Sequence, residues 1–441
     1  MIKQKLFSSS RIIIFGFAAV IVVGTLLLML PFSSKSGTMT PFLDCLFTAT
    51  SSTCVTGLVV YDTATHWSLF GQIIILIMIQ IGGMGIVTMS ILAVMLSGRK
   101  INLMQRSVMQ ESISAHKVGG ILKLSKFIII TSVIIELLGA FAFSFVFCRD
   151  YGFFKGLWMS LFHSVSAFCN AGFDLLGETE QFSSLTGYVY NPLINIVVMS
   201  LIVIGGIGFL TWDDIRTNKW HIKKYRMQSK IIFLVTAILV LIPALYFFFF
   251  EFNNLSFGKR LLVSLFQAIT PRTAGFNTVA ASELSETGNA VVTLLMLIGG
   301  APGSTAGGMK ITTVAVLFAA TLSVFRKRDS AHILKRRIGD ETVKIAATVL
   351  VMYITLFVFG ALVISSIEGL PLSNCLYETA SAIGTVGLTV GITTQLGTIS
   401  RIILIFLMYM GRVGGLTIVF ATLGGAQKNL VKYPQGTITV G

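Results

Sequence analysis

The chain has 441 residues, of which 54% are hydrophobic and only 12% charged, and its mean hydropathy is +0.85. A water-soluble domain carries about a quarter of its residues as charges, so this composition excludes a soluble globular enzyme and points to an all-α polytopic membrane protein. The net charge of +15 would suit nucleic acid if the basic residues formed one patch. They are instead spread over the loops between apolar runs, and no nucleic-acid partner is expected. The five cysteines (45, 54, 148, 169 and 375) stand singly, without metal or redox spacing.

A bilayer core of ~30 Å needs ~20 apolar residues of helix. Runs of that size predict eight spans, at about 11–31, 70–97, 121–148, 191–215, 230–251, 288–325, 341–367 and 399–425. The first follows a basic N-terminus with no small-residue cleavage site behind it, so it reads as a membrane helix and not as a leader. Between the members of each successive pair of spans lies a shorter apolar segment, at about 41–53, 156–169, 258–270 and 371–383. These are too short to cross and predict re-entrant half-helices.

Each half-helix runs into a glycine turn. The four turns are Thr53-Cys54-Val55-Thr56-Gly57-Leu58, Phe168-Cys169-Asn170-Ala171-Gly172-Phe173, Arg272-Thr273-Ala274-Gly275-Phe276-Asn277 and Ile383-Gly384-Thr385-Val386-Gly387-Leu388. In three of them the glycine lies eleven residues after the first residue of a Leu–aromatic pair (Leu46-Phe47, Leu161-Phe162, Leu376-Tyr377); after Leu265-Phe266 the spacing is one shorter. A second motif follows each turn: Ile81-Gly82-Gly83-Met84-Gly85, Ile204-Gly205-Gly206-Ile207-Gly208, Ile298-Gly299-Gly300-Ala301-Pro302-Gly303 and Met410-Gly411-Arg412-Val413-Gly414. Small residues let membrane helices pack closely, which accounts for the second motif alone. Two motifs in the same order four times predict four tandem repeats of helix, half-helix, glycine turn and helix. Their bounds are 1–98, 99–220, 221–328 and 329–441.

Of the 33 Lys and Arg, 24 lie in the N-terminus, the loops 99–126, 216–230 and 326–344, and the tail. The positive-inside rule then puts both termini in the cytoplasm, with all four turns entering from outside. Bare backbone at membrane depth is tolerated where it lines a cavity. Four turns around one axis can present a ring of carbonyl oxygens that replaces the hydration shell of a cation. The glycine supplies the one positive φ this needs. The half-helix C-termini favour a cation, and no Asp or Glu lies in the turns.

At these residues the chain resembles the TrkH/TrkG/KtrB superfamily of potassium transporters, and its eight-span length resembles the KtrB branch. The resemblance covers essentially the whole chain. It implies a potassium filter lined by Val55, Thr56, Gly57, Asn170, Ala171, Gly172, Thr273, Ala274, Gly275, Thr385, Val386 and Gly387. It implies a homodimer with one pore per chain in the plasma membrane, controlled by a cytoplasmic KtrA-like ring that binds the nucleotide (ATP/ADP or NAD). This chain has no nucleotide fold of its own, and Na+ is a possible second ion.

The sixth span is interrupted by Gly299-Gly300-Ala301-Pro302-Gly303-Ser304-Thr305-Ala306-Gly307-Gly308-Met309-Lys310. Proline and five glycines break a helix there. The Gly-Lys adjacency of a phosphate loop is absent. The segment reads either as a kink or as a mobile plug below the filter, and the family resemblance implies an intramembrane gating loop at this place. Arg412 stands where the other repeats have Gly83, Gly206 and Gly300. A charge inside a span marks a pathway, and we expect it to hold carbonyls or hydroxyls of 303–308 and keep the loop closed. Lys310 is expected either to snorkel or to pair, and Glu136 to make a structural hydrogen bond. Asp213-Asp214 read as a solvated rim or a docking point. A secondary transporter coupling K+ or another solute to Na+ also uses broken helices, but its repeats would be inverted. No enzyme motif is present.

Overall fold

A computed structural model describes residues 9–86, 88, 89, 110 and 120–415. The basic tail and most of the basic stretch 99–119, which enter the orientation argument, lie outside the described residues.

The described helices of ten residues or more recur in one order. The first group has α1 (Ser9–Leu28), α2 (Phe42–Thr53) and α3 (Leu69–Met84). The second has α4 (Ile121–Tyr151), α5 (Phe153–Phe168), α6 (Pro192–Gly206) and α7 (Phe209–Asn218). The third has α8 (Met227–Tyr246), α9 (Phe257–Ile269), α10 (Glu286–Met296) and α11 (Ile311–Phe325). The fourth has α12 (Asp340–Glu368), α13 (Leu372–Gly384) and α14 (Thr398–Val413). The chain is an all-α polytopic membrane protein. Its described strands form one short hairpin, His332–Ile333 with Arg336–Arg337, inside the basic 326–344 loop.

The opening helix of each group is long and apolar enough to cross a membrane by itself, in the segments Arg11–Leu28, Ile121–Tyr151, Met227–Glu251 and Asp340–Glu368. These helices expose apolar side chains outward, such as Leu137, Leu138 and Phe141 on α4 and Phe359 on α12. The half-helices α2, α5, α9 and α13 start and stop within three residues of the predicted segments. They are buried along their last turns.

The closing helices correct the sequence reading. Spans two, four and eight were expected to run unbroken through 70–97, 191–215 and 399–425. Each stops at the last glycine of its second motif: Gly85 (φ 84, ψ 131), Gly208 (φ 90, ψ 143) and Gly414 (φ 85, ψ 121). That backbone is open essentially to glycine alone. The turn at Gly208 bends α6 from α7 by 94°. The sixth span breaks as expected, between Met296 and Ile311.

Candidate functional site

Each half-helix ends in a loop with two left-handed residues separated by one ordinary residue. The pairs are Val55 and Gly57 (φ 58 and 92), Asn170 and Gly172 (60 and 70), Thr273 and Gly275 (66 and 77), and Thr385 and Gly387 (52 and 96). The expectation of a single positive φ per turn is therefore too low. Alternating hand turns successive carbonyls to one side of the strand. A non-glycine residue in the left-handed region is strained and persists only where its surroundings hold it. The holding bonds are present. Thr56 N–H donates to Ser51 O at 2.8 Å, Ala171 N–H to Ser166 O at 2.7 Å and Val386 N–H to Ser381 O at 2.8 Å. In the third loop Ala274 N–H reaches Thr270 O at 3.0 Å, one residue nearer, matching the shorter spacing there.

The loops meet in a closed ring. A Cβ on Gly57 would sit 2.5 Å from the Ala171 carbonyl oxygen, and one on Gly172 would sit 2.8 Å from that of Ala274. A Cβ on Gly275 would overlap the Val386 oxygen, and one on Gly387 the Thr56 oxygen. The cyclic order is thus first, second, third, fourth and back to first. Asn170 Nδ2 also donates to Thr273 Oγ1 at 3.2 Å, tying the second loop to the third. On one side of the ring lies a cavity of about 70 Å³ that all four glycines line. Another, of about 540 Å³, is lined by Pro302, Gly303, Ser304, Lys310 and Arg412 among others.

The interrupted segment of the third group lies between that second cavity and the ring. A Cβ on Gly307 would strike the Thr385 side chain, and one on Gly308 would sit 2.9 Å from Gly384 O. Thr305 Oγ1 donates to Phe168 O at 3.1 Å, at the C-terminal end of α5. Ala301 N–H donates to Gly206 O at 2.9 Å, and Phe209 N–H to Gly303 O at 2.7 Å. Gly299 N–H reaches Met309 O at 2.8 Å, so the segment folds back on itself.

Half-buried Arg412 donates to Thr305 O, to Gly82 O and, at 3.1 Å, to Gly83 O. The Thr305 carbonyl was among its expected partners; the two carbonyls from the first group were not. Three of the four groups therefore meet at one guanidinium. Lys310 pairs within its own loop, with Nζ donating to Ala306 O at 2.7 Å and Gly307 O at 3.3 Å. Glu136 accepts from Gln80 Nε2 at 3.0 Å, the structural bond expected of it. Asp213 and Asp214 pair with Arg226 at 2.8 and 3.4 Å, and Asp214 also accepts from Ser229 Oγ at 2.6 Å. They are tied down, not merely solvated.

Sequence reasoning missed the hydroxyl residues behind the loops. Ser51 and Ser381 Oγ accept from Gly57 and Gly387 N–H at 3.1 and 3.0 Å. Ser166 Oγ donates to Phe173 O at 2.7 Å, and Thr270 Oγ1 to Phe276 O at 2.5 Å. Their signal was a serine six residues before three of the glycines, with a threonine five before the other. Also missed were Asp62 and Asp174, which line the smaller cavity. Burial pushes the half-buried Asp174 carboxyl up to about 7. A bond from Leu176 N–H pulls against that rise, and the Asp62 charge adds to it.

A family model described as TrkH, a cation transport protein, matches residues 4–432. The chain belongs to the TrkH family of cation transport proteins. That family is one of transporters, not of enzymes. Within the TrkH family it is 39% identical to the potassium/sodium uptake protein NtpJ of Enterococcus hirae, over 99% of this chain and 98% of that one. It is 37% identical to the Ktr system potassium uptake protein B of Bacillus subtilis, over 100% and 98%. The crystal structure of the potassium transporter TrkH from Vibrio parahaemolyticus superimposes with a TM-score of 0.75 over 95% of this chain and 85% of that one, at 18% identity. That likeness concerns the fold.

Proposed function

We propose that this chain is the ion-conducting subunit of a potassium uptake system. In this reading the backbone carbonyls of residues 55–57, 170–172, 273–275 and 385–387 select the ion. The segment 299–310, latched by Arg412, gates it. The observation that carries the proposal is the closed ring, in which every turn glycine abuts a carbonyl of the next loop. A ring of carbonyls can replace a cation's hydration shell, and four half-helix C-termini around it add negative potential. The names of the relatives, a potassium/sodium uptake protein and a potassium uptake protein, both include the ion.

The four repeats, bounded near residues 98, 220 and 328, are on this reading the four quarters of one pore. Both termini are cytoplasmic in the plasma membrane. The chain forms a homodimer under a KtrA-like ring that carries the nucleotide. The name of the Enterococcus relative supports a second reading, in which sodium enters with potassium or drives it.

The test is flux of potassium and rubidium into liposomes holding the purified chain, beside Gly275→Ser. A serine Cβ at φ 77 would overlap Val386 O. The proposal expects a potassium-selective wild type and a variant that admits sodium. Flux that needs another solute, or a variant with unchanged selectivity, overturns it. Flux that requires sodium on the outside favours the coupled reading.

A further inference from the structure

One buried polar position recurs behind the four loops. It directly follows the Leu–aromatic pair, and it is Thr48, His163, Gln267 and Glu378 in turn. None of the four is more than 2% exposed. In two quarters the side chain grips the strand that leaves the ring. Glu378 Oε1 accepts from Val390 N–H at 3.2 Å and from the Thr389 hydroxyl, and Oε2 accepts from Thr393 Oγ1 at 2.8 Å. His163 Nε2 accepts from Leu175 N–H at 3.3 Å. Its Nδ1 lies 2.7 Å from Met159 O, which places the ring proton there and leaves Nε2 as the acceptor. Leu175 and Val390 hold the same station, three residues past their glycines.

The other two quarters are held differently. In the first, the grip comes from one helical turn earlier, where Tyr61 Oη donates to Asp44 Oδ2 at 3.1 Å. In the third, Gln267 Oε1 and Thr278 Oγ1 are buried without partners, and the outgoing strand is held from the second group instead, with Asn277 N–H donating to Ser184 Oγ at 3.1 Å and Leu185 N–H to Asn277 O at 2.8 Å. Thr278 is the residue at the station of Leu175 and Val390.

We propose that Glu378 and His163 are positioning residues for ion selection, each fixing its loop from behind by accepting from the backbone N–H three residues beyond the ring glycine. The inference rests on the filter reading above. A cation is recognised by where the carbonyls sit, and the carbonyls of a strained loop sit where its outgoing strand is anchored. The quarters are therefore anchored by different means: by this buried side chain in the second and fourth, by Asp44 in the first, and by Ser184 and Leu185 in the third.

The experiment is the ratio of potassium to sodium flux through the purified full chain in liposomes. Glu378→Leu and His163→Leu remove the acceptor. Glu378→Gln keeps an acceptor oxygen, and His163→Gln puts an amide oxygen at the reach of the ring Nε2. The leucine variants are expected to lower the ratio by up to about tenfold, the effect of the one backbone hydrogen bond that each acceptor loses. The glutamine variants are expected to stay within about twofold of wild type. A purely structural role would not distinguish the two sets by ion ratio.

Wild-type ratios in both leucine variants, with selectivity lost in Gly275→Ser, overturn the positioning role and leave the filter standing. An unchanged ratio in Gly275→Ser as well removes the filter and this inference with it. Glutamine variants as poor as leucine ones also overturn it, because acceptor geometry would then not be the cause. Should the leucine variants fail to assemble, Thr393→Val leaves Glu378 in place and removes one donor. Its ratio is expected to fall about threefold, and no fall counts against the proposal.

Discussion

Arg412 gathers carbonyls from Gly82, Gly83 and Thr305 around one planar guanidinium. A lysine cannot reproduce that fork. Arg412→Ala is expected to raise rubidium uptake into liposomes by at least about tenfold, the weight of one charge-assisted hydrogen bond on a closed state. Arg412→Lys should fall between. Asp174 gives a second prediction. Its carboxyl, pushed up to about 7, is largely protonated at pH 6 and largely ionised at pH 8. Ionisation adds negative charge at the mouth, so uptake at low salt should rise over that interval and flatten in Asp174→Asn. The same shift opposes folding as pH rises through 7, because the folded state holds a proton that the unfolded chain has already released. The ring glycines were legible because they repeat. Their left-handed companions Val55, Asn170, Thr273 and Thr385 were not, because the bonds that hold that backbone run back into the end of each half-helix, and only Asn170 among the four is a residue type with a preference for it.

The helices that follow the loops are defined by where they stop. A lone glycine lowers helix propensity by about 1 kcal/mol against alanine, too little to end an apolar run as long as 191–215. The stop at Gly208 is made by contact: Phe209 N–H donates to Gly303 O, and a Cβ on Gly208 would lie 2.8 Å from Pro302 O. Those partners lie about ninety-five residues away in sequence, so no window along the chain reveals them. Gly208→Ala is expected to destabilise the protein by about 1–3 kcal/mol, the usual weight of a non-glycine residue forced into such backbone. Thermal unfolding in detergent measures it. Pro302 and the glycine cluster announced the break in the sixth span, since proline both clashes and lacks a donor.

Across the whole molecule, the half-helices, their turns and their four-fold recurrence could all be read from spacing. The order of the loops around the ring could not, because spacing is indifferent to which loop neighbours which. Folding closes the ring by joining the last group to the first. Arg401 Nη1 pairs with Asp44 Oδ1 at 2.6 Å, with side chains 18% and 8% exposed, and Tyr409 Oη donates to Ile14 O at 2.8 Å. Breaking a buried pair from one side leaves an uncompensated charge and costs about 3–5 kcal/mol. Arg401→Leu should therefore lower the unfolding temperature, and Asp44→Leu in the same chain should restore part of the loss.

The ring of Gly57, Gly172, Gly275 and Gly387 is drawn from a single polypeptide. In an assembly of four identical chains every substitution arrives in quadruplicate, and a tolerable change in one loop becomes a catastrophe in four. Here each change arrives at a quarter dose. The loops are free to differ, as Val-Thr-Gly, Asn-Ala-Gly, Thr-Ala-Gly and Thr-Val-Gly do, and on the proposed filter reading ion preference can be retuned in small steps by altering one loop at a time.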